Sequence, residues 1–128
     1  HKKPYYKNCV YRPDSVLQID AISWFLKDCI GFTLHPVMGL PTLYDFLNGL
    51  TICIFHPTQY TCHHFRPTYM PEPDCCHELL GHMPLFADPK FAELVQEIGL
   101  APLGISDEEI QRLMTIFWFT ADFSFCHE

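Results

Sequence analysis

Two histidines and a carboxylate, His77, Glu78 and His82, fall in one short segment, spaced as H-E-x-x-G-H within "PEPDCCHELLGHMP", residues 71–84. The interval is one residue longer than in the H-E-x-x-H of zinc proteases. On an α-helix positions i and i+4 lie about 40° apart around the axis, whereas i and i+5 lie about 140° apart. An unbroken α-helix therefore cannot aim both rings at one ion. Gly81 precedes the second histidine and Pro84 follows it, which predicts a helix that stops through a left-handed glycine and carries His82 back toward His77 on the bent exit. The plain alternative is two histidines near a helix end, where positive charge suits the dipole. The interposed glycine and flanking carboxylate favour the metal site. Glu78 points elsewhere on the helix, which suits an acid–base or cofactor-binding group better than a ligand.

A third ligand is required. Asp122 is the only charged residue between Arg112 and His127, and a carboxylate in so apolar a stretch is costly unless it is paired or bound to a cation. A hydrogen bond to neighbouring backbone, or a solvent-facing edge, would also satisfy it. Two imidazoles and one carboxylate with open positions make the facial triad of non-haem Fe(II) oxygenases. Zinc accepts the same ligands and, with Glu78 as base, would make a hydrolase. Residue chemistry leaves both open.

The elements that must hold these groups are read from spacing. Asp14 or Ser15 caps a helix in which Ile19, Ile22, Phe25 and Leu26 recur at three and four residues, ending at Gly31. "FTLHPVMGLP" is extended, "TLYDFLNGL" is a short helix capped by Thr42, and "TICIFHPTQYTCHHF" reads as a strand or two interrupted by Pro57. Asp88-Pro89 starts a helix with an apolar stripe of Phe91, Leu94, Val95 and Ile98, closed by Gly99. Ser106 and Glu109 form a capping box for a helix through Ala121, apolar enough from Leu113 onward to be buried on nearly all sides. The fold class expected is one mainly α domain with minor β structure.

At 128 residues the chain is long enough for one core, and its 48% hydrophobic and 15% aromatic content is rich enough that some apolar surface should face a ligand or more chain. The sequence is expected to be a fragment of a larger domain. A net charge of −7 without a basic run disfavours nucleic-acid and anionic-membrane partners. No stretch approaches a membrane span. Seven cysteines, odd in number and lying in apolar segments, suit reduced thiols in the cytoplasm, and Cys75-Cys76-His77 lacks structural-zinc spacing.

The run "PEPDCCHELLGHMPLFADPKFAELVQEIGLAPLGISDEEIQRLMTIFWFTADF", with "GFTLHPVMGL" and "FHPTQY" upstream, closely resembles the catalytic core of the pterin-dependent aromatic amino acid hydroxylases, the phenylalanine, tyrosine and tryptophan enzymes. The resemblance covers residues 14–128 and implies that 1–128 is a partial catalytic domain, without the regulatory region or the C-terminal helix that makes the parent enzymes homotetramers. It implies Fe(II), a tetrahydrobiopterin cosubstrate, O2 and an aromatic amino acid substrate. By position, His77, His82 and Asp122 match the iron ligands, with Asp122 one methylene shorter than the family's glutamate. Phe46 and Glu78 match pterin-contacting residues, Phe117 replaces a pterin-side tyrosine, and Pro73 and Trp118 match the substrate pocket. Cys62 stands in place of the arginine that grips the substrate carboxylate; Arg66, the only arginine between Arg12 and Arg112, is the candidate replacement. Met70 replaces a helix-capping Ser or Thr, Tyr44 another arginine, and Pro57 a cysteine. "PDCCHELLGH" and "SDEEI" look most like tyrosine hydroxylases, whereas His56 is similar to the other two enzymes. The substitutions also fit a catalytically silent member that binds metal or pterin.

Overall fold

The computed structural model of the chain describes residues 14–15, 18–67 and 72–122, without the side chains of 121 and 122. Helix α1 (Ile19–Ile30) buries Ile22 and Leu26 and ends at Gly31, whose φ of 82° is the left-handed stop that its position in the sequence calls for. Its start is later than expected. Ser15 is committed to a β-bridge and Asp14 to a turn, so Gln18 is the cap, and its side chain makes no capping hydrogen bond.

Strand β1 (Thr33–Leu34) and strand β2 (Ile54–Phe55) pair in parallel, Thr33 with Ile54 and Leu34 with Phe55. Between them lies α2 (Leu43–Thr51), capped by Thr42, which accepts from the Asp45 N–H. The ladder continues past both strands, as the His35 N–H donates to Phe55 O and the Val37 N–H to Pro57 O. Proline loses nothing there, because only its carbonyl is used.

Downstream, a helical segment opens at residues 75–76, passes through a π-turn at His77–His82 and ends as α3 (Met83–Phe86). Helix α4 (Pro89–Leu100) is capped by Asp88, which accepts from the Lys90 N–H. Helix α5 (Asp107–Phe117) carries the Ser106–Glu109 capping box and runs into a second π-turn, Trp118–Asp122.

Gly99 does not close α4, which continues through Leu100. Its lack of a side chain serves packing instead. A Cβ at Gly99 would stand 2.6 Å from the Thr51 backbone nitrogen, and the Thr51 hydroxyl donates to the Gly99 carbonyl at 2.6 Å. Helix α4 thus touches α2 backbone to backbone. The core gathers Ile22, Leu26, Phe32, Leu47, Leu50, Met83, Phe86, Val95 and Ile110 from all five helices and the turn before β1.

The expectation that the apolar helix after Leu113 is buried all round is corrected. Phe117 is buried, but Ile116, Trp118 and Phe119 are more than half exposed, because the described elements pack against one face only.

Candidate metal centre

His77 and His82 converge. Their Nε2 atoms lie 2.9 Å apart, with ring planes at 83° and centroids 4.6 Å apart. The device that brings them together is not the bent exit expected from Gly81. The backbone hydrogen bonding widens by one residue: the Met83 N–H reaches back five residues to the Glu78 carbonyl, and Gly81 is not among the positive-φ glycines. In a π-turn residues i and i+5 take the stacked relation that i and i+4 hold in an α-helix. The extra residue in H-E-x-x-G-H is the extra residue of that turn.

Two imidazole nitrogens bound at right angles to one ion, with bonds of about 2.1 Å, lie about 3.0 Å apart. The observed pair meets that spacing. His82 is 7% exposed, and burial, with the His77 ring beside it, holds its imidazole down at about 4. Its nitrogen therefore keeps a lone pair at neutral pH, the form a metal ion needs. These two donors fit a single metal ion in spacing and protonation state. Among the described residues no third His, Cys, Asp or Glu joins them in a group able to hold an ion. Asp122 is the last residue of the second π-turn, and its side chain lies outside the described residues.

Packing fixes His82 from behind. Phe55 sets its ring centroid 5.8 Å from His82, 5.0 Å from Phe86 and 5.8 Å from Phe46. Phe46 in turn meets Phe117 edge-on at 5.4 Å. The two aromatic residues expected at the cofactor thus sit together, joined to the histidine pair through Phe55, a residue that the sequence reading does not single out. Glu78 is 4% exposed, in the same π-turn as the histidines.

His77 is positioned from its backbone. Asp74 Oδ1 accepts from the His77 N–H at 2.8 Å, and Oδ2 accepts from the Cys62 thiol at 3.1 Å. These two bonds, that to the His77 backbone foremost, hold the Asp74 carboxyl below its ordinary range. The same contact with Asp74 raises the Cys62 thiol, with burial second. Asp74 precedes His77 by the interval of an N-cap bond, a signal present in the sequence.

The expected substrate-side residues are more scattered. Pro73 is half-buried and its carbonyl accepts from the Thr58 hydroxyl at 2.5 Å. Arg66 lies exposed on the turn at 64–67, and Trp118 is 60% exposed. Among the described residues no hydrogen bond or ring contact joins either to the histidine pair. Tyr44 is exposed, Pro57 is buried, and Met70 lies outside the described residues.

Residues 3–128 match the family model for biopterin-dependent aromatic amino acid hydroxylases. The chain is 57% identical over 122 residues to phenylalanine-4-hydroxylase of Dictyostelium discoideum, covering 95% of this chain and 28% of that protein. It is 52% identical to human phenylalanine-4-hydroxylase, across 95% of this chain and 27% of the relative, and 52% identical to mouse tyrosine 3-monooxygenase, across 94% and 24%. It therefore spans about a quarter of the length of these relatives. Among solved structures, the apo phenylalanine hydroxylase of Colwellia psychrerythraea 34H superposes with a TM-score of 0.84 at 27% identity, over 93% of this chain and 46% of that one. The Legionella pneumophila phenylalanine hydroxylase gives 0.82 at 27% identity, over 91% and 50%. The family model spans nearly the whole chain and the fold superposes on solved phenylalanine hydroxylases, and the chain belongs to the biopterin-dependent aromatic amino acid hydroxylases.

Proposed function

We propose that this chain forms the iron-binding part of a catalytic domain that hydroxylates the ring of an aromatic amino acid, using Fe(II), tetrahydrobiopterin and O2. The observation that carries the reading is the 2.9 Å approach of the His77 and His82 Nε2 atoms on a π-turn. His77 and His82 hold the ion, with Asp122 as the third ligand. When bound, Fe(II) and the pterin supply the electrons that activate O2; the protein supplies orientation and open coordination positions. Phe46 and Phe117 offer an aromatic wall for the pterin ring, and Glu78, buried beside the ligands, accepts hydrogen bonds from its N–H groups. The low basicity of His82 keeps it unprotonated and able to ligate through the neutral range.

Pro73, Trp118 and Arg66 are assigned to the substrate, Arg66 to its carboxylate. Exposure leaves the Arg66 guanidinium available for that role. If Arg66→Ala left substrate affinity unchanged, that assignment would fail. Tyrosine is preferred as substrate on "PDCCHELLGH" and "SDEEI". Identity is 57% and 52% to two phenylalanine enzymes and 52% to a tyrosine enzyme, which leaves the substrate unresolved. The parent protein is read as a cytoplasmic homotetramer. Among the described residues no helix is long and apolar enough to cross a membrane.

The second reading is a catalytically silent member that binds metal or pterin, favoured by Cys62, which engages Asp74 and lacks the cationic fork that would pair with a substrate carboxylate. An anaerobic Fe(II) load followed by tetrahydrobiopterin, O2 and each aromatic amino acid tests both. Ring hydroxylation coupled to pterin oxidation supports the first, iron binding without product supports the second, and preference for zinc with hydrolysis overturns both.

A further inference from the structure

From Thr58 to Cys62 the chain lies alongside the segment leading into the histidine turn. The Thr58 hydroxyl donates to the Pro73 carbonyl, the Cys75 N–H donates to the Tyr60 carbonyl at 2.7 Å, and Tyr60 and Asp74 form a parallel β-bridge. At the far end the contact passes to side chains, where Cys62 holds one oxygen of Asp74 while the other oxygen accepts the His77 N–H. A carboxylate anchored by one oxygen still turns about its side-chain torsions. A donor on each oxygen fixes it.

The two histidines differ in what secures them. His82 is buried against Phe55, so packing sets its ring. His77 is exposed, so its position depends on the backbone beneath it. That backbone is capped by Asp74. We propose that Cys62 is a positioning residue for the metal centre, acting through Asp74 to hold the first turn so that His77 meets His82 at ligand spacing. Supporting this, contact with Asp74 and burial push the Cys62 thiol up, which keeps it protonated and able to donate at neutral pH. The inference rests on reading the histidine pair as a metal centre.

Co(II) titration of the metal-free protein, followed by visible absorption, tests it without any turnover. Cys62→Ala should weaken Co(II) binding about tenfold, at the low end of what groups orienting a ligand contribute. Cys62→Ser, which keeps a donor, should recover most of the loss. Asp74→Ala should weaken binding at least as much, and adding Cys62→Ala to it should change nothing further, since the thiol then has no carboxylate to hold. Should Asp74→Ala alter the far-UV circular dichroism, Asp74→Asn takes its place in the cycle. Cys62→Ala binding Co(II) like the wild type, serine doing no better than alanine, or additive losses in the double variant would each overturn the role of Cys62. A wild-type protein that binds no Co(II), or binds it undiminished after His82→Ala, would remove the metal reading itself and this proposal with it.

Discussion

The π-turn at His77–His82 interrupts a run of α-helix and the π-turn at Trp118–Asp122 follows one, but their surroundings differ. Beneath the first lie Leu79, Met83 and Phe86, all buried, with Phe55 against His82 and Asp74 on the His77 N–H. The second begins after the buried Phe117, yet Trp118 and Phe119 are 60% and 70% exposed. The Thr120 hydroxyl there folds back on the Ile116 carbonyl at 2.7 Å. A π-turn is rare because its hydrogen bonding is less favourable than that of the α-helix it replaces. A wide turn alone does not fix ligand geometry; the side chains packed under it do. The first turn is held as a rigid pair of donors, while the second presents its rings.

Phe86→Ala should break the support of the first turn and cost about 3–5 kcal/mol, because a fully buried ring touching Phe32, Phe55 and Phe91 leaves a cavity. Urea unfolding measures it, and a loss under 1 kcal/mol would mean that the turn does not depend on its core. Acid should come next. The His82 imidazole binds a proton in the unfolded chain near 6.5 but in the folded one only near 4. A depressed histidine favours unfolding as pH falls, so stability of the metal-free protein should decline from about pH 6.5 and level off below about pH 4. The loss from this residue is on the order of 3 kcal/mol, and His82→Gln should flatten that part of the profile.

Gly99→Ala tests the contact that sets α4 on α2. Overpacking costs about 1–3 kcal/mol and exceeds the roughly 1 kcal/mol that alanine gains in a helix. A net loss of about 1 kcal/mol is expected, and a gain in melting temperature would show that the backbones part without strain. Smallest of all, Trp118→Ser and Phe119→Ser should each shift unfolding by no more than about 0.5 kcal/mol. A loss above that would show the second turn to be packed like the first.

The caps were legible in the sequence because their chemistry is local: Thr42, Asp88 and the Ser106–Glu109 box each act within three residues. Convergence of His77 and His82 was legible too, as a demand that two ligands meet, but its mechanism was not. A one-residue change in hydrogen-bond register leaves the apolar pattern almost untouched, so Gly81 looks like a stop in the sequence where the backbone simply widens. Gly99 misled in the same way, since a glycine chosen for close helix contact looks like one chosen to end a helix. The parallel pairing of β1 with β2 and the placement of Phe55 against His82 depend on residues about twenty or more apart, and nothing in a local pattern encodes them.

Whether His77 and His82 jointly hold one metal ion is measured by anaerobic equilibrium dialysis against Fe(II), read as iron per chain. The wild type should bind one Fe(II), with affinity falling by more than about 100-fold in His77→Ala and in His82→Ala, beyond what groups that merely orient a ligand contribute. Iron bound equally well by the wild type and both variants, or by none of the three, would contradict joint binding by the pair.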